Sequence, residues 1–171
     1  MKNLADLFAS LKTAYDARPR HDRELVCKSG FYSGCPVLKL QKAGWTNDDM
    51  RFVPNLTGVF FSIWVDDEAV KQNRIKYNIH ALKLRQLAGY QLTSRAFANE
   101  FRDRFKPQQE SWPNVSVDYG PQTLMQGWIE RSERTINRDL LNLMDRFGEV
   151  SPIIDELLKM GKDIVAVQIL S

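Results

Sequence analysis

The sequence predicts an α+β fold: a mainly antiparallel sheet packed with several helices, in a single domain spanning residues 1–171. Three observations carry this expectation. The first is the run Val59-Phe60-Phe61-Ser62-Ile63-Trp64-Val65, which is rich in β-branched and aromatic residues and too short for an ordinary helix. Its even positions are almost as apolar as its odd ones, so it reads as a strand inside a sheet, buried on both faces. The second is strict alternation over residues 74–81, where Ile75, Tyr77, Ile79 and Ala81 oppose Arg74, Lys76, Asn78 and His80. Successive strand side chains leave on opposite faces, so one face joins the core and the other is polar. The third is order: strand patterns gather early and helical patterns later, which marks α+β rather than a regular α/β alternation. The early connections are short enough for antiparallel pairing.

Taken from the N-terminus, Leu4, Leu7, Phe8, Leu11 and Tyr15 recur at helical spacing and predict an amphipathic helix over 3–17, stopped by Pro19. A charged surface connection follows, then a short strand over 24–28, a glycine-bounded turn over 29–34 and a second strand over 36–42. Residues 43–55 read as a loop anchored by Trp45 and Phe52-Val53, with a turn at Pro54-Asn55. The two strands named first come next, joined by Asp66-Asp67-Glu68 and Lys71-Gln72-Asn73. After Ala81 the apolar phase shifts to Leu82, Leu84 and Leu87, which fits either a bulge or a short helix ending at Gly89.

Thr93 or Ser94 is placed to cap a helix running to Phe105, with Phe97, Phe101 and Phe105 stacked along one face. Pro107 ends it. Residues 115–119 alternate weakly, and 124–129 are apolar but interrupted by Gly127, so their type stays open. Ile136, Leu140, Leu143, Met144 and Phe147 share a helical face that Gly148 closes. Ser151-Pro152 starts another helix, which Gly161 ends, and the β-rich run 164–170 reads as a last strand.

The composition, 43% hydrophobic and 26% charged, is that of an ordinary globular protein. No apolar run approaches the length of a membrane span, and the first six residues do not resemble a secretory leader. The expected location is therefore the cytoplasm, with no membrane association, with Cys27 and Cys35 as free thiols and the glycosylation patterns at Asn55 and Asn114 as coincidences.

Net charge is +3 but uneven: residues 71–106 hold nine Lys and Arg against two acids, while 107–171 hold ten acids against six bases. The basic segment is the leading functional candidate. Arg74, Lys76, His80, Lys83, Arg85, Arg95 and Arg102 would offer a surface to nucleic acid or another polyanion through counterion release and stacking. The plainer reading of the same residues is a solvated polar face whose long side chains cover apolar surface. An acidic protein surface, including the acidic third of a second copy, is the alternative partner.

The rival is an enzyme. Asp66, Asp67 and Glu68 would hold Mg²⁺ for phosphodiester cleavage, although three consecutive acids also make a common polar turn and diverge along an extended chain. A zinc set of His21, Cys27, Cys35 and His80 lacks paired short spacings. No phosphate-binding glycine loop, dinucleotide fingerprint or nucleophile elbow is present. No cofactor is implied. Among the tryptophans, Trp64 reads as core, and Trp45 and Trp112 as loop anchors tucked onto the sheet. The overall expectation is a non-catalytic binding module.

Overall fold

The computed structural model describes residues 3–20, 22–48, 52 and 56–170, with backbone alone over 163–169. His21 and the turn expected at Pro54-Asn55 lie outside the described residues. The architecture is the α+β arrangement expected. Five strands, β1 (Val26–Tyr32), β2 (Cys35–Gln41), β3 (Gly58–Trp64), β4 (Arg74–Leu82) and β5 (Thr123–Glu130), form one antiparallel meander in sequence order. The helices are α1 (Leu4–Ala17), the short α2 (Asp67–Lys71), α3 (Ser94–Phe105) and α4 (Ile136–Leu170).

The long helices gather on one side of the sheet. Helix α1 packs on β1 and β2, α3 on β4 and β5, and α4 runs against both α1 and α3. Odd-numbered residues of the central strands meet them: Val59, Phe61, Ile63, Ile75, Tyr77, Ile79 and Ala81 are wholly buried. Phe61 stacks on Phe147 of α4 at 4.6 Å between ring centroids. Gly127 faces Tyr77 across the β4–β5 ladder, and a Cβ there would lie 2.4 Å from the tyrosine oxygen. The glycine that interrupts this segment's apolar pattern thus makes room for a ring, and the segment is strand β5. The Tyr77 hydroxyl donates to the Pro113 carbonyl at 2.7 Å.

Several expectations are corrected. The β1–β2 turn is only Ser33-Gly34, both with positive φ, as a two-residue hairpin requires. Gly30 lies within the strand, where a Cβ would come within 2.9 Å of the Phe52 ring. After β4, Lys83 adopts a left-handed conformation and opens a 3-10 turn over Leu84–Gln86, so the phase shift there is a short helix. The bulge lies instead between Ile79 and His80, against β5. Residues 115–119 contribute only the isolated bridge Ser116↔Gln126. Asp67 and Glu68 sit in α2, with Asp66 as its N-cap, rather than in an irregular turn.

The largest correction concerns the C-terminal third. The two helices and final strand expected there are one helix of 35 residues, with Pro152 inside it. Proline has no N–H for the carbonyl four residues back, here Gly148. The buried Ser151 hydroxyl lies 2.8 Å from that carbonyl and 2.6 Å from Asp22 Oδ2, so its proton serves one acceptor or the other. A local hydroxyl thus lies within reach of the carbonyl that the ring leaves without a donor, and the helix continues through the proline. Lys42 lies beside this point, between Asp22 and Asp155, and Trp45 donates its indole N–H to Asp155 at 2.8 Å. Burial alone would lower the Lys42 pKa, but the two carboxylates outweigh it and hold it above its ordinary value. Among the described residues, no helix is long and apolar enough to cross a membrane.

Candidate functional site

Among the described residues, none of the long helices packs on the other side of the sheet. Along β2 the residues leaving on this open face are Cys35, Val37, Lys39 and Gln41; along β3 they are Phe60, Ser62 and Trp64; along β4, Arg74, Lys76, Asn78, His80 and Leu82. Described residues of the stretch between β2 and β3 border this face. Thr46 bridges Gly58, Asp48 accepts from the Thr57 amide at 3.3 Å, and Asn47 is tied to Gln86 and Ala88 on the turn after β4. Phe52 and Leu56 of the same stretch reach over the strands.

Beside these residues lies a cavity of about 440 Å³, within the size range of small-ligand sites. Its walls are aromatic and aliphatic, with Tyr32, Phe52, Leu56, Phe60, Trp64 and Leu82 among them. Its polar groups are few and lie together. The Lys39 ammonium sits 4.6 Å from the Phe60 ring centroid and 5.9 Å from that of Phe52, and the residue is 4% exposed. Burial lowers its pKa to about 8, with Asp48 acting upward and Lys28, its cross-strand neighbour, downward.

Ser62 is the cross-strand partner of Lys39 on β3. Its hydroxyl donates to Asn78 Oδ1, and Asn78 Nδ2 donates to His80 Nε2 at 2.7 Å. His80 Nδ1 faces the Gln122 carbonyl at 3.3 Å. This chain is self-consistent only with the proton on Nδ1, so it fixes the neutral tautomer. Burial pushes the His80 pKa below its usual value, in keeping with that state. The result is a polar line held in one orientation across two strands, beside an ammonium clasped by rings.

The seven residues expected to form a basic face are not brought together. Arg74, Lys76 and His80 do share the open face. Arg74 is stacked 3.7 Å over the Trp128 ring. Lys76 lies 3.0 Å from both Asp66 and Glu68, and His80 is the neutral end of the relay. Lys83 and Arg85 belong to the turn after β4, Arg85 being exposed. Arg95 is exposed near the start of α3, on the helix-covered side of the sheet. Arg102, on the same helix, points its guanidinium at four carbonyls, those of Tyr119, Gly120, Thr123 and Leu124.

The acidic cluster has other partners. Asp66 Oδ1 accepts the Ala69 amide at 2.8 Å and Oδ2 meets Lys76; Asp67 is exposed. Among the described residues, no three His, Cys, Asp or Glu side chains gather as metal ligands would. Cys27 and Cys35 are free thiols on opposite faces of the β1–β2 hairpin, Cys27 in the core, where burial raises its pKa to about 12, and Cys35 lining the cavity. Trp64, expected in the core, is half-buried in the cavity wall, whereas Trp45 and Trp112 are buried as loop anchors.

Sequence reasoning passed over Lys39, which reads as the polar partner of Leu38 and Leu40. The available signal was the mixture on the open face of three strands, where Phe60 and Trp64 alternate with Ser62. Aromatic residues on a face that also carries polar groups indicate cover without a helix. Comparison with known proteins finds no matching family model, no matching characterised protein and no matching solved structure.

Proposed function

We propose that this chain is a non-catalytic small-molecule-binding module whose open-face cavity takes a ligand with a flat apolar body and an anionic head. One observation carries the reading: a lysine 4% exposed between aromatic walls, next to a polar line already fixed in orientation. A carboxylate in the cavity would meet that ammonium, while the rings bury the rest of the ligand. Groups held in place beforehand need little reordering on binding.

The test is calorimetry with 2-naphthoate and its uncharged primary amide. The acid is expected to bind at least tenfold more tightly than the amide, and Phe60→Ala to weaken the acid at least tenfold. Equal affinity for acid and amide, or binding indifferent to Phe60, would sink the proposal.

The polyanion reading keeps one specific support, the Arg74 guanidinium stacked on Trp128 at the start of β4, in a basic segment that continues to exposed Arg85 past the strand's other end. It requires single-stranded nucleic acid binding that weakens steeply with salt and is lost in the Arg74→Glu, Arg85→Glu double variant. Anisotropy in EDTA reads this directly.

A further inference from the structure

We infer that the outer edge of β1 pairs with β1 of a second copy of this chain, joining two sheets into one continuous antiparallel sheet. The two edges of the sheet differ. At the β5 edge the outward carbonyls are taken. Leu124 O accepts from Arg102 Nε at 3.2 Å, Gln126 exchanges both backbone bonds with Ser116, and Trp128 O accepts from Asn114 Nδ2 at 3.1 Å. An edge covered in this way is closed to another strand.

The β1 edge is arranged otherwise. In a two-residue hairpin the residues flanking the loop, here Tyr32 and Cys35, exchange hydrogen bonds. Lys28, Gly30 and Tyr32 therefore bond inward to β2, while Cys27, Ser29 and Phe31 turn their backbone groups outward. Pro36, opposite Phe31, fits this phase: it has no N–H to give, and its carbonyl accepts from Val65 on the far side. Among the described residues, no strand pairs with the outer side of β1 and no hydrogen bond reaches the outward groups of Ser29 or Phe31. Neither a proline nor a bulge interrupts the strand. Three of the seven large apolar side chains exposed among the described residues, Val26, Phe31 and Tyr32, lie on this one strand. Cys27 is buried, so the accessible edge runs over residues 28–32.

That length selects its own copy as occupant. A two-fold axis at Gly30 sets Ser29 opposite the partner's Phe31 and Phe31 opposite the partner's Ser29, each pair exchanging both backbone bonds. Gly30 then meets the partner's Gly30, where no side chain crowds the closer approach of a non-hydrogen-bonded pair. Lys28, the strand's only charge, faces the partner's Tyr32. Centring on Lys28 instead would set two ammonium groups against each other, and centring on Ser29 would need the buried Cys27 edge. Helix α1 lies over both β1 and β2, so the two copies of α1 would stand about two strand spacings apart, roughly 10 Å, an ordinary helix-packing distance. Because the β5 edge is covered, the pairing closes at two chains.

Sedimentation velocity on the full chain tests this over a micromolar concentration series, under reducing conditions so that Cys35 cannot crosslink. Hydrogen exchange read by NMR accompanies it. The mass is expected to rise with concentration from 19.8 kDa to twice that and no further. Added salt should leave the dimer in place, since backbone bonds hold it. The Ser29 and Phe31 amides should exchange freely in the monomer and slow at least tenfold as the dimer forms, while Lys28 and Gly30 stay slow at every concentration. Ser29→Pro removes an outward donor but no β1–β2 bond, and should abolish the dimer with the circular dichroism spectrum unchanged. A single-chain mass throughout, growth beyond two chains, a dimer whose Ser29 and Phe31 amides still exchange freely, or a folded Ser29→Pro chain that still dimerises would overturn the inference. If Ser29→Pro does not fold, the exchange rates of the unaltered chain decide.

Discussion

The two faces of the same strands make an instructive pair. On the helix-covered face, β3 and β4 present Val59, Phe61, Ile63, Ile75, Tyr77 and Ile79, all wholly buried, and the only polar atom among their side chains, the tyrosine oxygen, has its acceptor. On the open face, alternate residues of the same strands and of β2 present Lys39, Ser62 and Asn78, which are also buried. Burial is nearly equal, but the chemistry is not. One face removes apolar area from water, which is what stabilises a domain. The other gathers an ammonium and a hydrogen-bonded polar line beside a cavity, where they offer a ligand polar contacts already in place. Where a fold places such groups on one confined patch, the patch is the place to look for a ligand.

The largest test of this contrast sets neighbouring phenylalanines against each other. Phe61→Ala removes a ring stacked on Phe147 and edge-on to Trp45 at 5.4 Å, and should cost about 3–5 kcal/mol in chemical denaturation. Phe60→Ala, one residue away on the open face, should cost less than about 1.5 kcal/mol, because its ring is half-buried against a cavity that is already there. Equal costs would mean that the open face is core and the cavity incidental.

Next in size is Lys39→Met, which should remove a pH dependence from the stability. The folded pKa of about 8 lies below that of an unfolded lysine. Below pH 8 the lysine is charged in both states. Between pH 8 and about 10.4 the folded state gives up its proton first, the unfolded state binds more protons, and stability rises with pH. The variant should therefore lack the parent's rise in stability between pH 8 and about 10.4. A difference between the two that does not change with pH would show that Lys39 titrates alike in the folded and unfolded chain.

The two faces were not equally legible in the sequence. Alternation in β4 and the apolar run of β3 place both strands and their core side correctly, because period-two burial on one face writes itself into residue type. The open face hid its site because its border is a loop, and loops leave no periodic trace on the strand beside them. Lys39 and Asn78 consequently read as solvent-facing. Chain-order summation of charge misled for a related reason: Arg74 and Arg102 lie in one basic segment but on opposite sides of the sheet. In α4, the Ser151-Pro152 pair is a sound start signal by local rules. In the structure the helix runs through it, with Val150 and Ile154 wholly buried on either side of the proline.

The smallest expected effect separates capping from charge pairing at the rim of the open face. Asp66 does both, accepting the Ala69 amide with one oxygen and meeting Lys76 with the other. Burial tends to raise its pKa, but the Ala69 amide and the Lys76 ammonium outweigh it and hold the pKa below the usual carboxylate value. A depressed carboxylate contributes stability above its unfolded pKa and loses it as pH falls through the folded one, so the contribution belongs to neutral pH and fades in acid. Asp66→Ala removes cap and pair together and should cost about 1 kcal/mol at pH 7. Asp66→Asn keeps a capping oxygen and should recover most of that, and Lys76→Gln should cost less than about 0.5 kcal/mol, since the pair is partly exposed and screened. If Lys76→Gln instead costs as much as Asp66→Ala, the rim is held by charge, and the acidic cluster is an electrostatic clamp on β4 rather than a helix start beside the cavity.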